Sequence, residues 1–114
     1  MQHWDDSLTE LLNRHIRHPP SELFHPELIR GAMDVHTHSS PSVKKRKYSD
    51  IGYAQLAKEN GMRGIVIKAH EGDTAARAAL VREVVPDLAV IGGVVLNRCV
   101  GGLNLDAVIT SQQM

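Results

Sequence analysis

The sequence predicts an α/β fold with a parallel sheet, because three apolar runs alternate with helical patterns along the chain. The clearest run covers residues 64–70, which are mostly apolar and rich in β-branched side chains. Such a run is typical of a strand buried on both faces of a parallel sheet. The order strand, helix, strand, helix, strand, helix indicates crossover connections between parallel strands. At 114 residues, the chain is one domain at most and is long enough to bury a core.

The chain divides into two predicted segments. Residues 1–28 are expected to form an N-terminal helix and a connector. Ser7 and Glu10 have the spacing of a capping box, and Pro19 cannot continue the helix that they begin. Residues 29–114 are expected to contain the sheet, with strands near residues 32–36, 64–69 and 89–96.

Residue types at the ends of the periodic segments predict where helices begin and end. Ser49 or Asp50, Thr74 and Asn104 are predicted to cap the N-termini of helices. Gly61 is predicted to end a helix in the left-handed conformation, and Gly101-Gly102 to form a turn. The helix that follows Thr74 is expected over residues 75–85, where Pro86 closes it.

Composition narrows the class of protein. The net charge is zero and 42% of the residues are hydrophobic, so charge does not favour nucleic acid or an acidic membrane as a partner. No apolar run approaches the roughly 18 residues that a membrane span requires. The N-terminus lacks a signal-peptide pattern, and the single cysteine, Cys99, suits a reducing compartment. We therefore expect a cytoplasmic protein.

The segment from Asp34 to His38 carries the strongest chemical signal. It lies at the end of the first predicted strand, where alternate side chains point to one face. His36 and His38 would then project together, with Cα atoms about 6.7 Å apart. Two neutral imidazoles at that spacing can bind one cation. The alternative is a pair of surface histidines in a loop, as we expect for His15 and His18 near the N-terminus.

The other two predicted strands also end on polar side chains. Lys68 and His70 end the second strand, and Asn97 and Arg98 end the third. Sites in parallel α/β folds gather at the carboxyl ends of the strands. We therefore expect these residues to lie near the two histidines of the first strand.

Two of these residues have open roles. Lys68 can be a strand-end lysine whose stem is buried, a phosphate or carboxylate binder, a lysine with a depressed pKa, or a carbamylated metal ligand. Asp34 can accept a hydrogen bond from the ring of a metal-binding histidine and so orient it, since ligating imidazoles usually donate their other N–H to an oxygen. It can equally hydrogen-bond to the backbone at the strand end.

A basic loop follows the histidines. Residues 44–47 are four successive cations. This loop is either a solvated surface segment or a segment that overhangs the histidines and attracts an anionic substrate group.

Three segments carry a resemblance to known families. The first, Asp34 to His38, resembles the first motif of the amidohydrolase superfamily and of PHP-type metal-dependent phosphoesterases. The second, residues 54–70, is similar to their following helix and second strand, although PHP members usually carry Asp where Ala69 stands. With residues 94–104, the chain most resembles a poorly characterised group of amidohydrolase-like proteins with Lys-x-His at strand two. The resemblance covers roughly residues 29 to 114.

The resemblance implies a (β/α)₈ barrel of the TIM type. A full barrel needs about 250 residues, so we expect this chain to supply the N-terminal three βα units behind a leading helix, as a fragment of a longer reading frame. The terminal strands of such a piece would expose their edges. We therefore expect such a piece to be marginally stable or to form a homo-oligomer through the exposed barrel edge.

The resemblance also implies a metal-dependent hydrolase that acts on a small molecule. Its metal would be Zn²⁺, with Mn²⁺ or Fe as alternatives, held by His36, His38 and His70. Lys68 and His70 would be the catalytic residues, and Asn97 and Arg98 would bind substrate. The alternatives are a phosphoesterase of the PHP kind and an inactive or purely metal-binding piece.

Overall fold

The computed structural model describes residues 25–114. The predicted capping box at Ser7, the proline stop at Pro19 and the histidines at positions 15 and 18 lie outside these residues. The described part contains three strands, four α-helices and a short 3₁₀ helix. In chain order they are α1 (Pro26–Ile29), β1 (Met33–Thr37), α2 (Asp50–Glu59), β2 (Gly64–Ile67), α3 (Ala75–Val84), β3 (Ala89–Ile91), the 3₁₀ helix (Arg98–Val100) and α4 (Leu105–Gln112).

The three strands form one parallel sheet in the order β1-β2-β3. Met33 pairs with Gly64 across the first two strands, and Ile65 pairs with Val90 across the second and third. The predicted α/β class and the parallel arrangement are confirmed. Within residues 25–114, the outer edges of β1 and β3 have no partner strand.

The core lies between one face of the sheet and the helices. α2 packs on β2, α3 packs on β3, and the two helices contact each other. Ile65, Ile67 and Val90 are completely or almost completely buried beneath them. The opposite face, here called the open face, carries Val35, which is 66% exposed, and Ile91, which is 48% exposed. The helices of the described residues therefore pack on one side of the sheet only.

β1 contains a bulge that sets the direction of the histidines. Asp34 pairs with Ile65 and Thr37 pairs with Ile67, so the stretch of β1 is one residue longer than the stretch of β2 opposite it. Because Ile65 and Ile67 both face the helices, Asp34 and Thr37 do so as well. The two residues between them, Val35 and His36, lie opposite Val66 on the open face.

The third strand is shorter than the sequence predicts. It ends at Ile91 rather than near residue 96, because the chain turns toward the start of α3. Gly93 accepts hydrogen bonds at its carbonyl from Thr74 N at 2.9 Å and Thr74 Oγ1 at 3.0 Å, and its own N–H donates to Thr74 Oγ1 at 2.9 Å. Val94 then forms an antiparallel bridge with Asp73. Pairing with the α3 entry loop replaces continuation of the strand.

This turn depends on a glycine at position 92. A Cβ there would lie 2.4 Å from Thr74 O and 2.5 Å from Ala75 N, whereas a Cβ on Gly93 would meet nothing within 4 Å. We expect Gly92→Ala to lower the free energy of unfolding by at least about 2 kcal/mol, since backbone atoms cannot move aside cheaply. Gly93→Ala is the matched control and should change it by less than about 0.5 kcal/mol. Urea denaturation of both variants measures this, and equal effects would contradict the close approach.

The capping predictions hold with one exception. Ser49 accepts a hydrogen bond from Gly52 N, and Asn104 accepts one from Ala107 N. Gly61 has a φ of 72°, as a left-handed helix end requires. Thr74 occupies the N-cap position of α3 but makes no capping bond, because its hydroxyl joins β2 to Gly93. Across residues 25–114, no helix has the length and apolar character needed to cross a bilayer.

Candidate functional site

Three histidine rings meet on the open face, at the carboxyl ends of β1 and β2. His36 Nε2 and His38 Nε2 are 3.1 Å apart. The ring centroids of His36 and His38 are separated by 5.0 Å, and those of His38 and His70 by 4.7 Å. The structure therefore places the three rings beside one another, and their sharing of one metal ion stays a prediction.

The distance between the two Nε2 atoms has two chemical interpretations. One imidazole N–H can donate to the other nitrogen, which makes a hydrogen bond of ordinary length. Alternatively, two lone pairs can converge on a cation. Two Zn–N bonds of about 2.1 Å at a tetrahedral angle place the nitrogens roughly 3.4 Å apart. The observed separation of 3.1 Å is close to that value, so His36 and His38 can become a two-nitrogen chelate with little movement.

His70 is close to the pair but is not aligned with it. Its ring stacks on that of His38 with an angle of only 17° between the planes. Because an imidazole lone pair lies in the plane of the ring, two nearly parallel rings do not point at one ion. In the part of the chain that the structure describes, no three His, Cys, Asp or Glu side chains form a group that could hold a metal ion as they stand. Rotation of the His70 ring is required for it to be a third ligand.

The environment of His38 favours the neutral form of its ring. Burial lowers the pKa of His38, and the charges of His70, Arg46 and His36 lower it further, against a smaller raising effect of the Lys68 backbone. Nδ1 of His38 is buried and has no hydrogen-bond partner among the described residues. A neutral imidazole is the form that binds metal ions, so this environment favours a ligand role.

Asp34 lies behind the histidines and supports the bulge. Its Oδ1 accepts a hydrogen bond of 2.9 Å from the backbone N–H of His36, and its Oδ2 accepts one of 2.6 Å from the hydroxyl of Tyr53 on α2. The pKa of Asp34 is lowered mainly by the Tyr53 hydroxyl. Of the two roles left open by the sequence, the structure shows the backbone contact and no contact to an imidazole nitrogen. Asp34 therefore orients His36 through the main chain.

The bond between Tyr53 and Asp34 can be tested through acid stability. Because its folded-state pKa is lowered, Asp34 contributes stability that is present above its usual pKa of 3.8 and is lost as pH falls through the folded value. We expect Tyr53→Phe to lower the free energy of unfolding by about 1 kcal/mol at pH 7. This is the value of a hydrogen bond to a charged group, reduced for solvent screening. The cost should vanish at low pH. Urea unfolding from pH 7 to pH 2 measures it.

Tyr48→Phe is the matched control, because the Tyr48 side chain is 37% exposed and its hydroxyl makes no hydrogen bond within residues 25–114. It should leave both stability and its pH dependence unchanged. A Tyr53→Phe cost that persists at pH 2 would mean that ring packing, and not the carboxylate, produces the effect.

Lys68 lies on the open face, one position before the helix-facing Ala69. Its backbone N–H donates to Thr37 O at 2.7 Å and so extends the pairing of β1 and β2. Its half-buried side chain lines a cavity of about 200 Å³ with Val35, Val66 and residues 93–95. Nζ makes no hydrogen bond or ion pair with any residue from 25 to 114. The amine is therefore uncommitted within the described part of the chain.

Asn97 and Arg98 do not directly follow β3 as predicted, because β3 ends at Ile91 and a non-strand segment lies between. Both residues are exposed. Asn97 Nδ2 donates to His70 O at 2.8 Å, so its amide nitrogen holds the segment that follows β2 in place. Cys99 Sγ also lies 3.5 Å from His70 O. Arg98 is the first residue of the 3₁₀ helix and makes no side-chain contact with a described polar group. The structure thus brings Asn97 to the backbone of the site, whereas no described polar contact links the Arg98 side chain to it.

A buried ion pair anchors the chain directly after His38. Arg77 on α3 donates to both carboxylate oxygens of Asp50, each at 2.7 Å, and to Ser39 O at 3.2 Å. Ser39 Oγ donates to Asp50 Oδ1 at 2.6 Å. Ser39 follows His38 in sequence, so this network limits movement of the His38 backbone. Sequence reasoning missed Arg77 and Tyr53 because their partners lie 27 and 19 residues away and no local pattern links them.

Comparison with known proteins assigns the chain to a family. Residues 31–114 match the family described as a family of unknown function (DUF6282). The chain belongs to this family. No curated protein and no solved structure matches it. The DUF6282 match spans every residue of the site, from Asp34 to Arg98.

Proposed function

We propose that this DUF6282 protein is a metal-dependent hydrolase of the amidohydrolase type. The observation that carries the proposal is the 3.1 Å separation of the Nε2 atoms of His36 and His38. These atoms lie at the carboxyl ends of parallel strands, where sites in α/β folds gather. The finer fold assignment, three βα units from a (β/α)₈ barrel, belongs to the same proposal. It is supported by the parallel strands in sequential order and by helices on one side of the sheet.

The donor set suits a divalent ion that prefers imidazole, of which Zn²⁺ is the first choice and Mn²⁺ or Fe²⁺ the alternatives. His36 and His38 would hold it, and His70 would join them after rotation of its ring. When bound, such an ion supplies Lewis acidity toward water and toward the scissile group. Residues 25–114 offer no third ligand in place as they stand, so the proposal requires this rotation or a donor from elsewhere.

The remaining residues have roles that this geometry supports. Lys68 would contact substrate in the cavity beside β2, since its Nζ is uncommitted and its side chain lines that space. In the stacked position on His38 that it occupies here, His70 would instead accept or donate a proton at the edge of the site. Asn97 holds the backbone of His70, and Arg98 would meet the substrate at the rim.

Calorimetric titration with Zn²⁺ at pH 7.5 tests the proposal, because imidazoles are neutral there. We expect one ion per chain with a dissociation constant in the micromolar range or tighter, and Mn²⁺ as a weaker competitor. An absence of saturable binding would leave only the inactive or structural interpretation. Hydrolysis of a panel of amide and phosphoester substrates by the metal-loaded protein then separates reaction classes.

Phosphoester hydrolysis of the PHP kind is the second candidate. The four cations at residues 44–47 favour it, because they follow His38 in the chain and are suited to a phosphoryl group. Ala69 stands where PHP proteins usually carry Asp, and this difference favours the amidohydrolase type.

A further inference from the structure

The geometry points to a built anion site beside the histidines, formed by the loop of residues 41–48 and centred on Arg46. We infer that the substrate carries an anionic oxygen group, a phosphoryl or a carboxylate, that binds to the Arg46 guanidinium. The inference rests on the proposed function in one respect, namely that the substrate is the molecule cleaved at the histidines.

The loop leaves and rejoins the fold at one place, immediately after His38. Ser40 N donates to Tyr48 O at 2.9 Å, and Asp50 N donates to Ser40 O at 2.8 Å. A parallel bridge between Ser40 and Ser49 closes its base. Because the base is closed by backbone hydrogen bonds, the loop is a defined protrusion whose position is tied to His38.

Glu71 fixes the loop to the other strand of the site. Its Oε1 accepts hydrogen bonds from Ser42 Oγ at 2.7 Å and from Val43 N at 2.9 Å. The hydrogen bond from Ser42 is the main cause of the lowered pKa of Glu71. Glu71 follows His70, so one bonded carboxylate connects the basic loop to the segment that follows β2 and carries His70. Its partners are neutral groups of the loop, and no Lys or Arg side chain forms a salt bridge with it among the described residues.

Arg46 is the half-buried member of the basic run, whereas the three lysines beside it are exposed. Its Nε donates to Ser42 Oγ at 3.3 Å, the hydroxyl that Glu71 also holds. Neither Nη atom makes a hydrogen bond within residues 25–114. The Nε hydrogen bond ties the guanidinium, through Ser42, to Glu71, the residue that follows His70. An oriented guanidinium with two free nitrogens matches the geometry of a carboxylate or a phosphoryl group.

A small anion accounts for this arrangement better than a macromolecule does. The chain has no net charge, and binding to nucleic acid or an anionic membrane draws on many dispersed cations. Lys47 lies over the ring of Tyr48, with Nζ 5.2 Å from the centroid. Arg46 is the cation that the loop orients through a side-chain hydrogen bond, so recognition should depend on this one residue.

NMR titration with sulfate and with acetate tests the inference on the Zn²⁺-loaded and the metal-free protein. Sulfate stands for a phosphoryl group and acetate for a carboxylate. We expect Arg46→Gln to weaken binding of the preferred anion by at least about fivefold, the loss of a charge-assisted hydrogen bond. Glu71→Ala should weaken it to a similar extent, because it removes the oxygen that accepts hydrogen bonds from Ser42 and Val43 and so releases the loop. Zn²⁺ affinity, measured by calorimetry, should change less than twofold in either variant.

Lys44→Gln is the matched control, because it removes the same charge from an exposed neighbour. It should weaken anion binding by less than about twofold. Equal losses for Lys44→Gln and Arg46→Gln would overturn the inference and indicate a diffuse basic patch, as would stronger binding to an RNA oligomer or to anionic vesicles than to either small anion.

The two proposals fail separately. Saturable Zn²⁺ binding without any effect of Arg46→Gln on either anion would leave the metal site standing and overturn the anion site. Arg46-dependent anion binding in a protein that binds no Zn²⁺ would support the anion site and overturn the proposed hydrolase.

Discussion

Replacing His36 with alanine is expected to lower Zn²⁺ affinity by at least about a hundredfold, because it removes one of the two converging nitrogens. Loss of a residue that only hydrogen-bonds to a metal ligand lowers affinity by about 10- to 100-fold, and loss of the ligand itself should cost more. His38→Ala should have the same effect. The physical reason is that the Nε2 atoms of both rings lie 3.1 Å apart, so either ring alone offers a single nitrogen. His36 is exposed, and its removal should leave the free energy of unfolding nearly unchanged. Calorimetric titration and urea unfolding of each variant measure the two quantities.

His25→Ala is the control for this comparison. The His25 ring is exposed and bonds to Glu27 at 2.9 Å, away from the strands that carry the site. The His25→Ala variant should retain wild-type Zn²⁺ affinity.

His70→Ala tests whether His70 is a third metal ligand or only a ring that lies beside His38. A loss of Zn²⁺ affinity of more than about tenfold would mean that the His70 ring rotates to bind metal. A smaller loss would mean that the ring stays stacked on His38. Wild-type affinity in both His36→Ala and His38→Ala would end the metal proposal.

The second large effect is expected at the buried ion pair between Asp50 and Arg77. The Asp50 side chain is 7% exposed and that of Arg77 is 19% exposed. Asp50→Ala should cost about 3 kcal/mol or more, since it leaves a guanidinium without its partner in a poorly solvated place. It should also weaken Zn²⁺ binding, because Ser39 loses its bond to Asp50 and the backbone next to His38 loosens. Urea unfolding and calorimetry test both parts.

A second ion pair in the same fold is the control. Lys58 and Asp87 are 3.0 Å apart, but the Asp87 side chain is 79% exposed. Asp87→Ala should therefore cost no more than about 0.5 kcal/mol. The double variant Asp50→Ala with Arg77→Met should recover part of the lost stability, because it removes the unpaired charge. A cost at Asp50 no greater than that at Asp87 would mean that the buried pair is not a main support of the site.

Local sequence patterns were sufficient to predict the strands, their parallel order and most helix ends. Continuous apolar runs such as residues 64–67 indicate strands buried in a parallel sheet, and Ser49 and Asn104 cap helices through bonds that span only three residues. The proximity of His36 and His38 also follows from alternation along one strand. Each of these features depends on residues that are close in sequence, so periodicity and residue type carry the information.

The tertiary structure decided what depends on distant partners. The bulge in β1 places Asp34 on the helix side, where Tyr53 binds it, although strict alternation would put it beside the histidines. β3 ends at Ile91 because Gly93 bonds to Thr74. These partners lie 19 residues apart in both cases.

The contacts that hold the site in place also join residues that are far apart in the sequence. Asp50 and Arg77 are separated by 27 residues, and Ser42 and Glu71 by 29. The sequence by itself determined which residues end the strands, whereas strand register and side-chain contacts between separate elements determined which of them meet. Such contacts form only when the helices pack on the sheet, so no local spacing in the chain indicates them.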